Sequence, residues 1–290
     1  MERIEKLVIV GVGLIGGSFA LALKEAGAAG RVIGVGRGGR NIRRALDLKI
    51  IDAAGALDQA TFWDADLVLL AVPVGQMPSV MRSIAPLLGP KTVVTDAGST
   101  KQDVVGLARR ELKAALSRFV PGHPIAGTEK SGADAAIAGL YRGRRVVLTP
   151  LQGTEPGALA LVRAAWEACG ASVFKLQPRE HDAVLAAVSH LPHVLAYALV
   201  DRVARRKNAK QLFSYAAGGF RDFTRIAASH PEMWRDICLA NRKALLAEID
   251  RYGGELKRVR KMLERGDATA LAALFSGARD ARNRWLKDTQ

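Results

Sequence analysis

The chain has 290 residues, a length that predicts two domains at about 150 residues per domain. Hydrophobic residues make up 49% and charged residues 24%, which is typical of globular proteins and excludes disordered chains and membrane bundles. Cys169 and Cys238 cannot form a disulfide framework, so we expect a reducing compartment and no metal site. The net charge of +15 is spread over both halves, which disfavours a nucleic-acid-binding arm and leaves open a basic cleft for anionic ligands.

Short apolar strands alternate with helical segments through the first 175 residues or so. We predict strands at 6–10, 31–35, 67–72 and 92–95, weaker strands at 119–120, 146–149 and 172–176, and helices at 14–26, 75–88 and 101–116. This alternation is typical of a doubly wound parallel sheet.

The pattern becomes entirely helical near Pro178. Helices are predicted at 180–207, 209–228, 231–252, 254–265 and 268–287, with breaks at Gly218-Gly219, Pro231, Gly253-Gly254 and Gly266-Asp267. We therefore expect a dinucleotide-binding α/β domain over residues 1–177 and an all-helical domain over 178–290.

An uncharged run from Leu7 to Leu23 has nearly the length of a membrane span. It contains four glycines, which argue against a membrane helix and against a secretory signal. We expect no later segment to be long and apolar enough to cross a bilayer, and hence a cytoplasmic protein.

The first predicted strand leads into a GxGxxG motif that opens a helix. Gly11 permits the sharp turn, Gly13 lets the backbone approach a pyrophosphate, and Gly16 lets helix and strand pack closely. The helix N-terminus then offers free N–H groups to the phosphates. The predicted cofactor site comprises Gly11, Gly13, Leu14, Ile15, Gly16, Arg37, Arg40 and Pro73.

The second predicted strand lacks the acid that normally binds the adenosine 2′-hydroxyl of NAD. Gly36 stands in its place, followed by Arg37, Arg40, Arg43 and Arg44. Guanidinium groups here favour the extra phosphate of NADP over NAD. A solvated basic loop is the alternative.

Two segments after predicted strands carry candidate chemistry. Ser99 and Lys101 follow the fourth strand, where ligands of such sheets bind, although Ser99 could simply cap a helix. His123 follows the fifth strand in a predicted loop between Gly122 and Pro124, where it suits acid–base catalysis better than a structural role.

The helical domain places polar side chains at helical spacing. His190 and His193 are three residues apart on one helical face, and polar contacts in a cleft are favoured over metal binding. Arg221 and Arg225 are four apart beside a glycine pair and could clamp carboxylates, with surface decoration as the alternative.

Taken together, these motifs resemble the prephenate and arogenate (cyclohexadienyl) dehydrogenases of tyrosine biosynthesis. The resemblance rests on the glycine motif and on segments 96–101, 122–127, 189–193, 218–225 and 233–234. It implies a Rossmann-type domain followed by a helical dimerisation domain, a homodimer, and oxidative decarboxylation of prephenate or arogenate with hydride transfer to NAD(P).

The resemblance also implies roles for individual residues. His123 would accept the proton of the substrate C4 hydroxyl, Ser99 would orient the imidazole, and Arg225 would bind the ring carboxylate. The other implied substrate-binding residues are His190, His193, Gly219, a polar gate of Glu129, Arg221 and Asp222, and Trp234 reaching across a dimer interface.

The chain departs from some members of this family. Gly36-Arg37 differs from NAD-using members, and an end at Gln290 leads us to expect no C-terminal regulatory domain, so that tyrosine inhibition would act at the active site. Two alternatives remain open: another two-domain NADP-dependent dehydrogenase of a small hydroxy acid, and a non-enzymatic dinucleotide-sensing or nucleic-acid-binding protein.

Overall fold

The protein is described here by a computed structural model that covers residues 3–128 and 130–288. Its strands are β1 Ile4–Val10, β2 Ala29–Val35, β3 Ala53–Ala54, β4 Leu67–Leu70, β5 Val93–Asp96, β6 Phe119–Val120, β7 Gly122–Pro124, β8 Arg145–Leu148 and β9 Ser172–Lys175. The helices of the α/β part are α1 Leu14–Glu25, α2 Gly39–Asp47, α3 Gln59–Phe62, α4 Met77–Ile84, α5 Gln102–Glu111 and α6 Pro156–Ala168. The later helices are α7 Pro178–Leu185, α8 Leu191–Ala204, α9 Ala209–Ser214, α10 Gly218–Thr224, α11 Pro231–Ala240, α12 Arg242–Glu264 and α13 Ala268–Asp288.

Six strands form a parallel sheet in the order β3-β2-β1-β4-β5-β6. Val10 pairs with Val35 on one side and with Leu70 on the other, and Leu70 pairs with Asp96. The carboxyl ends of these strands therefore meet along one edge, and the strand order reverses beside β1, which is where ligands bind in such sheets. The predicted doubly wound α/β fold is confirmed.

Both faces of this sheet are covered, as its continuous apolar strands require. Leu7 and Ile9 of β1 point into one core cluster, whereas Val8 and Val10 point into a second cluster on the opposite face. The alternation follows from the period of two along a strand.

The predicted strands at 146–149 and 172–176 do not join the parallel sheet. They correspond to β8 and β9, which form a separate three-stranded sheet with β7, antiparallel to β8. Two strands, β3 and β7, were not predicted, because they consist largely of alanine, glycine and proline, which are uncommon in strands.

The predicted helix break at Gly253-Gly254 is wrong, because α12 runs through both glycines. Glycine costs only about 1 kcal/mol relative to alanine inside a helix, which the rest of a 23-residue helix tolerates. The break lies instead at Asn241, between α11 and α12.

The chain divides into two compact units between Arg242 and Lys243. In the second unit, the described residues 243–288 form most of α12 and all of α13, and Leu245 is their only buried side chain. These two helices therefore have almost no core of their own.

The expectation that no later segment is long and apolar enough to cross a membrane is wrong. The helix Pro178–Ala204 meets that criterion by length and composition, with a mean hydropathy of 1.7. It nevertheless buries the ionisable side chains of His181, Asp182 and His190, a pattern typical of a helix that lines a site within a protein.

Candidate active site

The turn after β1 has the backbone geometry that a dinucleotide site needs. Gly11 has φ +99°, and a Cβ there would lie 2.4 Å from the carbonyl oxygen of Ala71. A Cβ at Gly16 would lie 2.2 Å from the oxygen of Gly11, so helix α1 packs too closely for any side chain. At Gly13, by contrast, a Cβ would face open space. Residues Gly11 and Gly16 shape the turn, and Gly13 leaves room beside the helix N-terminus for a bound pyrophosphate.

The remaining cofactor candidates lie at the same strand edge. Leu14 is buried in the first turn of α1, and the carbonyl of Ile15 accepts a hydrogen bond of 2.6 Å from the Tyr141 hydroxyl. Pro73 is exposed after β4 and begins the short helical turn Val74–Gln76. The glycine turn, its helix and Pro73 thus flank the point where the strand order reverses, and these residues fit a dinucleotide.

The basic residues after β2 divide into two groups. Arg37 and Arg40 are exposed, and within the described part of the chain neither forms an ion pair. Arg44 is already paired with a carboxylate, because its Nε lies 2.7 Å from Oδ1 of Asp134. Arg43 is also exposed and forms no ion pair among the described residues, so Arg37, Arg40 and Arg43 remain available to an anion.

A buried ion pair links the end of β5 to β7. The Lys101 ammonium pairs with the Asp96 carboxylate, and both side chains are fully buried. Lys101 Nζ also donates to the carbonyl of Gly122 at 2.6 Å, and the Gly122 amide donates to Asp96 at 3.2 Å. Burial raises the pKa of Asp96, and the adjacent ammonium limits that rise. The pair holds the two strands together directly before His123.

His123 lies on strand β7 and not in a loop as predicted. Its neighbours Gly122 and Pro124 pair with Leu148 and Val146 of β8, and β7 is an edge strand, where proline is tolerated. The side chain is only 9% exposed, and its Nδ1 lies 2.8 Å from Nε2 of His181. Burial, followed by the charges of His181, Lys101 and His190, holds the pKa of His123 well below its usual value. His123 is therefore a neutral base at physiological pH.

His181 is in turn held by Asp182. His181 Nδ1 lies 2.8 Å from Asp182 Oδ1, and both residues are buried at the start of the helix that begins with α7. Asp182 also accepts hydrogen bonds from the backbone amides of Lys101 at 2.8 Å and Gln102 at 2.9 Å. Burial alone would raise the pKa of Asp182, but these hydrogen bonds outweigh it and hold the pKa below its usual value. Asp182 is thus an ionised carboxylate at the N-terminus of α5.

His190 lies in a π-helical turn, Ala186–His190, between α7 and α8. Single π turns in helices occur often at functional sites. Asn241 donates one amide hydrogen to the Asp182 carbonyl at 2.7 Å, and its second faces His190 Nδ1 at 3.0 Å. Burial lowers the pKa of His190 to about 4.

His193 stacks on Trp234 with ring centroids 3.5 Å apart, and His190 meets the same indole edge-on at 6.1 Å. The two histidines therefore share one face, as their spacing predicts. Burial lowers the pKa of His193, and the charge of Arg225 lowers it further. The contact between His193 and Trp234 lies within one chain, and a role for Trp234 across a dimer interface stays a prediction. Within the described residues, the buried indole N–H has no hydrogen-bond partner.

The remaining predicted substrate residues lie on or beside α10. Gly219, Arg221, Asp222 and Arg225 are all exposed, and a Cβ at Gly219 would face open space. Glu129, the last member of the predicted gate, lies outside the described residues. Ser99 is half-buried just after β5, and its contact with His123 stays a prediction.

Three residues of this site were not selected from the sequence: His181, Asp182 and Asn241. Adjacent His and Asp residues near the N-terminus of a helix that starts at Pro178 are a possible sequence signal for a functional pair. Nothing in the local sequence shows that His181 faces His123, which is 58 residues away. In residues 3–128 and 130–288, no three side chains of His, Cys, Asp and Glu are placed to hold a metal ion.

Comparisons with known proteins agree along the chain. A family model described as the nucleotide-binding domain of prephenate dehydrogenase matches residues 19–175, and one described as its dimerization domain matches 177–277. The chain is 37% identical to the prephenate dehydrogenase of Bacillus subtilis, covering 96% of this chain and 76% of that protein. It is also 37% identical to the cyclohexadienyl dehydrogenase of Zymomonas mobilis, covering 97% and 96%.

Solved structures give the same picture. A prephenate dehydrogenase from Aquifex aeolicus, in complex with hydroxyphenyl propionate and NAD+, is similar with a TM-score of 0.92 and 37% identity over 97% of this chain and 98% of that one. The arogenate dehydrogenase of Synechocystis has a TM-score of 0.81 and 30% identity over 97% and 99%.

Proposed function

Because the chain belongs to the prephenate dehydrogenase family, we propose that it oxidatively decarboxylates prephenate to 4-hydroxyphenylpyruvate, arogenate to tyrosine, or both. The observation that carries this proposal is His123, a buried neutral base beside the carboxyl edge of a sheet with a dinucleotide turn. The family's reaction requires a base at that position, because the substrate hydroxyl must lose a proton as hydride leaves the same carbon.

In the proposed mechanism, His123 accepts the proton of the C4 hydroxyl, which then becomes a carbonyl. Arg225 binds the ring carboxylate. As that carboxylate leaves as CO2, the electron pair of the broken C–C bond moves through the ring to the C4 oxygen, the ring becomes aromatic, and the oxygen takes the proton back from His123 to give the phenol. A bound nicotinamide dinucleotide supplies the hydride acceptor. Ser99 is proposed to share the hydroxyl with His123, and correct placement of the ring against both groups contributes to the rate.

The substrate pocket is proposed to include His190, His193, Gly219 and Trp234. This assignment is supported by the open space at Gly219 and by the indole N–H of Trp234, which has no hydrogen-bond partner in residues 3–128 and 130–288. Arg221, Asp222 and Glu129 are proposed to form a polar gate at its mouth. The Arg221 guanidinium suits a substrate with two carboxylates.

The cofactor is proposed to be NADP in preference to NAD. Gly11, Gly13, Leu14, Ile15, Gly16 and Pro73 would hold the dinucleotide, and Arg37 and Arg40 would bind the 2′-phosphate. The support for this preference is the absence of an acid at Gly36 together with two exposed guanidinium groups.

Residues 178–290 are proposed to form a substrate-binding and dimerisation domain of a cytoplasmic homodimer, and residues 1–177 the dinucleotide-binding domain. The match to a dimerization domain supports this proposal. So does the exposure of apolar side chains on α12 and α13, including Leu256, Leu263 and Phe275. Two helices that bury so little in one chain need a second surface.

The experiment is a purified-enzyme assay of prephenate and arogenate, each with NAD and with NADP, followed by absorbance of the reduced cofactor and identification of the product. We expect turnover of at least one substrate and a higher kcat/KM with NADP. An Arg37→Ala variant should lose most of the NADP preference, with Arg109→Ala as an exposed-arginine control. Absence of turnover with all four combinations would contradict the activity, and an NAD preference that survives Arg37→Ala would contradict the cofactor assignment.

A further inference from the structure

Three side chains form a continuous chain of short polar contacts that ends at His123. His123 Nδ1 meets His181 Nε2 at 2.8 Å, and His181 Nδ1 meets Asp182 Oδ1 at 2.8 Å. The two imidazole rings meet edge to face, with centroids 5.0 Å apart and planes at 63°. All three side chains are buried, so water does not compete for these contacts.

The direction of each hydrogen bond follows from the donors and acceptors available. Asp182 is an ionised carboxylate and can only accept, so His181 must carry its proton on Nδ1 and donate to Oδ1. A neutral His181 then has a lone pair on Nε2. His123 must therefore carry its own proton on Nδ1 and donate it to His181.

We propose that His181, anchored by Asp182, is the positioning residue of this active site: it fixes His123 as the Nδ1–H tautomer, so that the Nε2 lone pair serves as the base. This inference rests on the proposed function, in which His123 accepts the substrate proton. The acceptor on His181 also favours the imidazolium that forms when His123 takes up that proton, because Nδ1–H continues to donate.

The 2.8 Å contact between the two rings leaves room for a proton on only one of the two facing nitrogens. A proton on Nε2 of His181 would point two N–H groups at each other across 2.8 Å. The groups facing the two rings are the Lys101 ammonium, which is paired with Asp96, the Asp182 carboxylate, and His190 from the π turn. Lys101 adds positive charge next to His123, and the ionised Asp182 is already saturated by two backbone amides and His181. The arrangement in which His123 donates to His181 adds no further charge to the ring pair.

Asp182 is itself held firmly in place, so it can fix the orientation of His181. Its two oxygens accept from the backbone amides of Lys101 and Gln102, which open α5, and Asn241 binds its carbonyl. The orientation of His181 is thus set by main-chain groups of a helix that follows β5. Such outer partners of a functional histidine typically contribute about 10–100-fold to activity when measured at metal sites.

The test combines ring-15N NMR of selectively labelled histidine with kinetics on the full chain. The chain has five histidines, so each pair of ring signals can be assigned from single-histidine variants. In the wild type we expect His123 to show a protonated Nδ1 and an unprotonated Nε2, and His181 to show a protonated Nδ1. An unprotonated Nδ1 on His123 would overturn the proposal before any variant is made.

The variant His181→Phe keeps a ring of similar size but removes the acceptor. We expect His123 to shift toward the Nε2–H tautomer and kcat to fall by about 10–100-fold with KM within about threefold. His181→Gln restores an acceptor and should recover part of kcat and of the Nδ1–H signal, which a purely space-filling role would not produce. The exposed His230→Gln is the matched control and should leave the His123 signals and kcat unchanged.

The outcome that overturns the proposal is a His181→Phe enzyme with the wild-type His123 tautomer, or with unchanged kcat. If His181→Phe does not fold, the wild-type tautomer and the His181→Gln variant still decide the question. If the wild-type chain turns over neither prephenate nor arogenate, the proposed function fails, while the NMR readout continues to test whether His181 fixes His123.

Discussion

The functional surface of the turn after β1 is backbone, whereas the functional surface around His123 is made of side chains. At Gly11 and Gly16 any Cβ would collide with main-chain oxygens, so the turn works because side chains are absent. Around His123, by contrast, Lys101, Asp96 and His181 fill the interior with charges and ring nitrogens that must all find partners. Gly11 and Gly16 tolerate no added side-chain atom, whereas the region around His123 tolerates almost no removal of polar groups.

Loss of the buried cation at Lys101 should have the largest effect on the protein. Lys101→Met leaves Asp96 buried and unpaired, and we expect the free energy of unfolding to fall by about 3–5 kcal/mol. Denaturant unfolding of the variant measures this change. The control is Lys91→Met at an exposed lysine, which should stay within about 0.5 kcal/mol of wild type. A Lys101→Met protein as stable as the control would show that the pair contributes no net stability.

Removal of the base should affect chemistry more than binding. We expect His123→Asn to lower kcat by about 10²-fold or more, as for lost general-base catalysis, with little change in the cofactor Kd. Steady-state kinetics and cofactor titration give the two quantities separately. Near-normal turnover would remove His123 from the mechanism.

The buried histidines should make stability depend on pH. His123 and His190 have pKa values below the unfolded value of 6.5, to about 4 for His190, so below pH 6.5 the unfolded chain binds more protons than the folded one. The free energy of unfolding should therefore fall as pH drops from 6.5 to 5, by up to ~1.4 kcal/mol per pH unit for each histidine. Unfolding curves at several pH values test this, and His123→Asn should show a shallower slope. A flat profile over this window would indicate that neither ring is held neutral by the fold.

The smallest effects are expected in the glycine turn, where one substitution should weaken cofactor binding and another should lower stability. Gly13→Ala places a Cβ in open space, so we expect stability within about 0.5 kcal/mol of wild type. The added methyl group should obstruct the approach of the pyrophosphate to the backbone at Gly13. We therefore expect the dinucleotide Kd to rise about tenfold, which corresponds to ~1.4 kcal/mol of binding free energy. Gly16→Ala is the counterpart and should lose stability, because its Cβ meets a backbone oxygen. Equal Kd values for wild type and Gly13→Ala would show that the pyrophosphate does not lie close to the backbone at Gly13.

The two regions also differ in how far the sequence predicts them. The turn is local: Gly11, Gly13 and Gly16 act within six residues, and their spacing predicts both the fold and the cofactor class. His123 was selected from its local context as well, but its burial on an edge strand and its contact with His181 depend on β8 and on a helix 58 residues later. Single-sequence patterns do not report which side chains meet across such distances.

Sequence patterns also predict helix ends poorly where tertiary packing determines whether a helix continues. Gly253-Gly254 favours a break that does not occur, whereas Asn241, with no strong breaker beside it, ends α11 and donates to His190 and Asp182. A tertiary contact of this kind overrides local propensity.

The sparse burial of α12 and α13 has a consequence for abundance in the cell. With Leu245 alone buried among residues 243–288, these helices gain little stability from a single copy of the chain. Folding that depends on a second copy follows mass action, so the intact fraction rises with protein concentration. Dilution or low expression would then expose this segment to proteases, and the number of copies made would set how long each one survives.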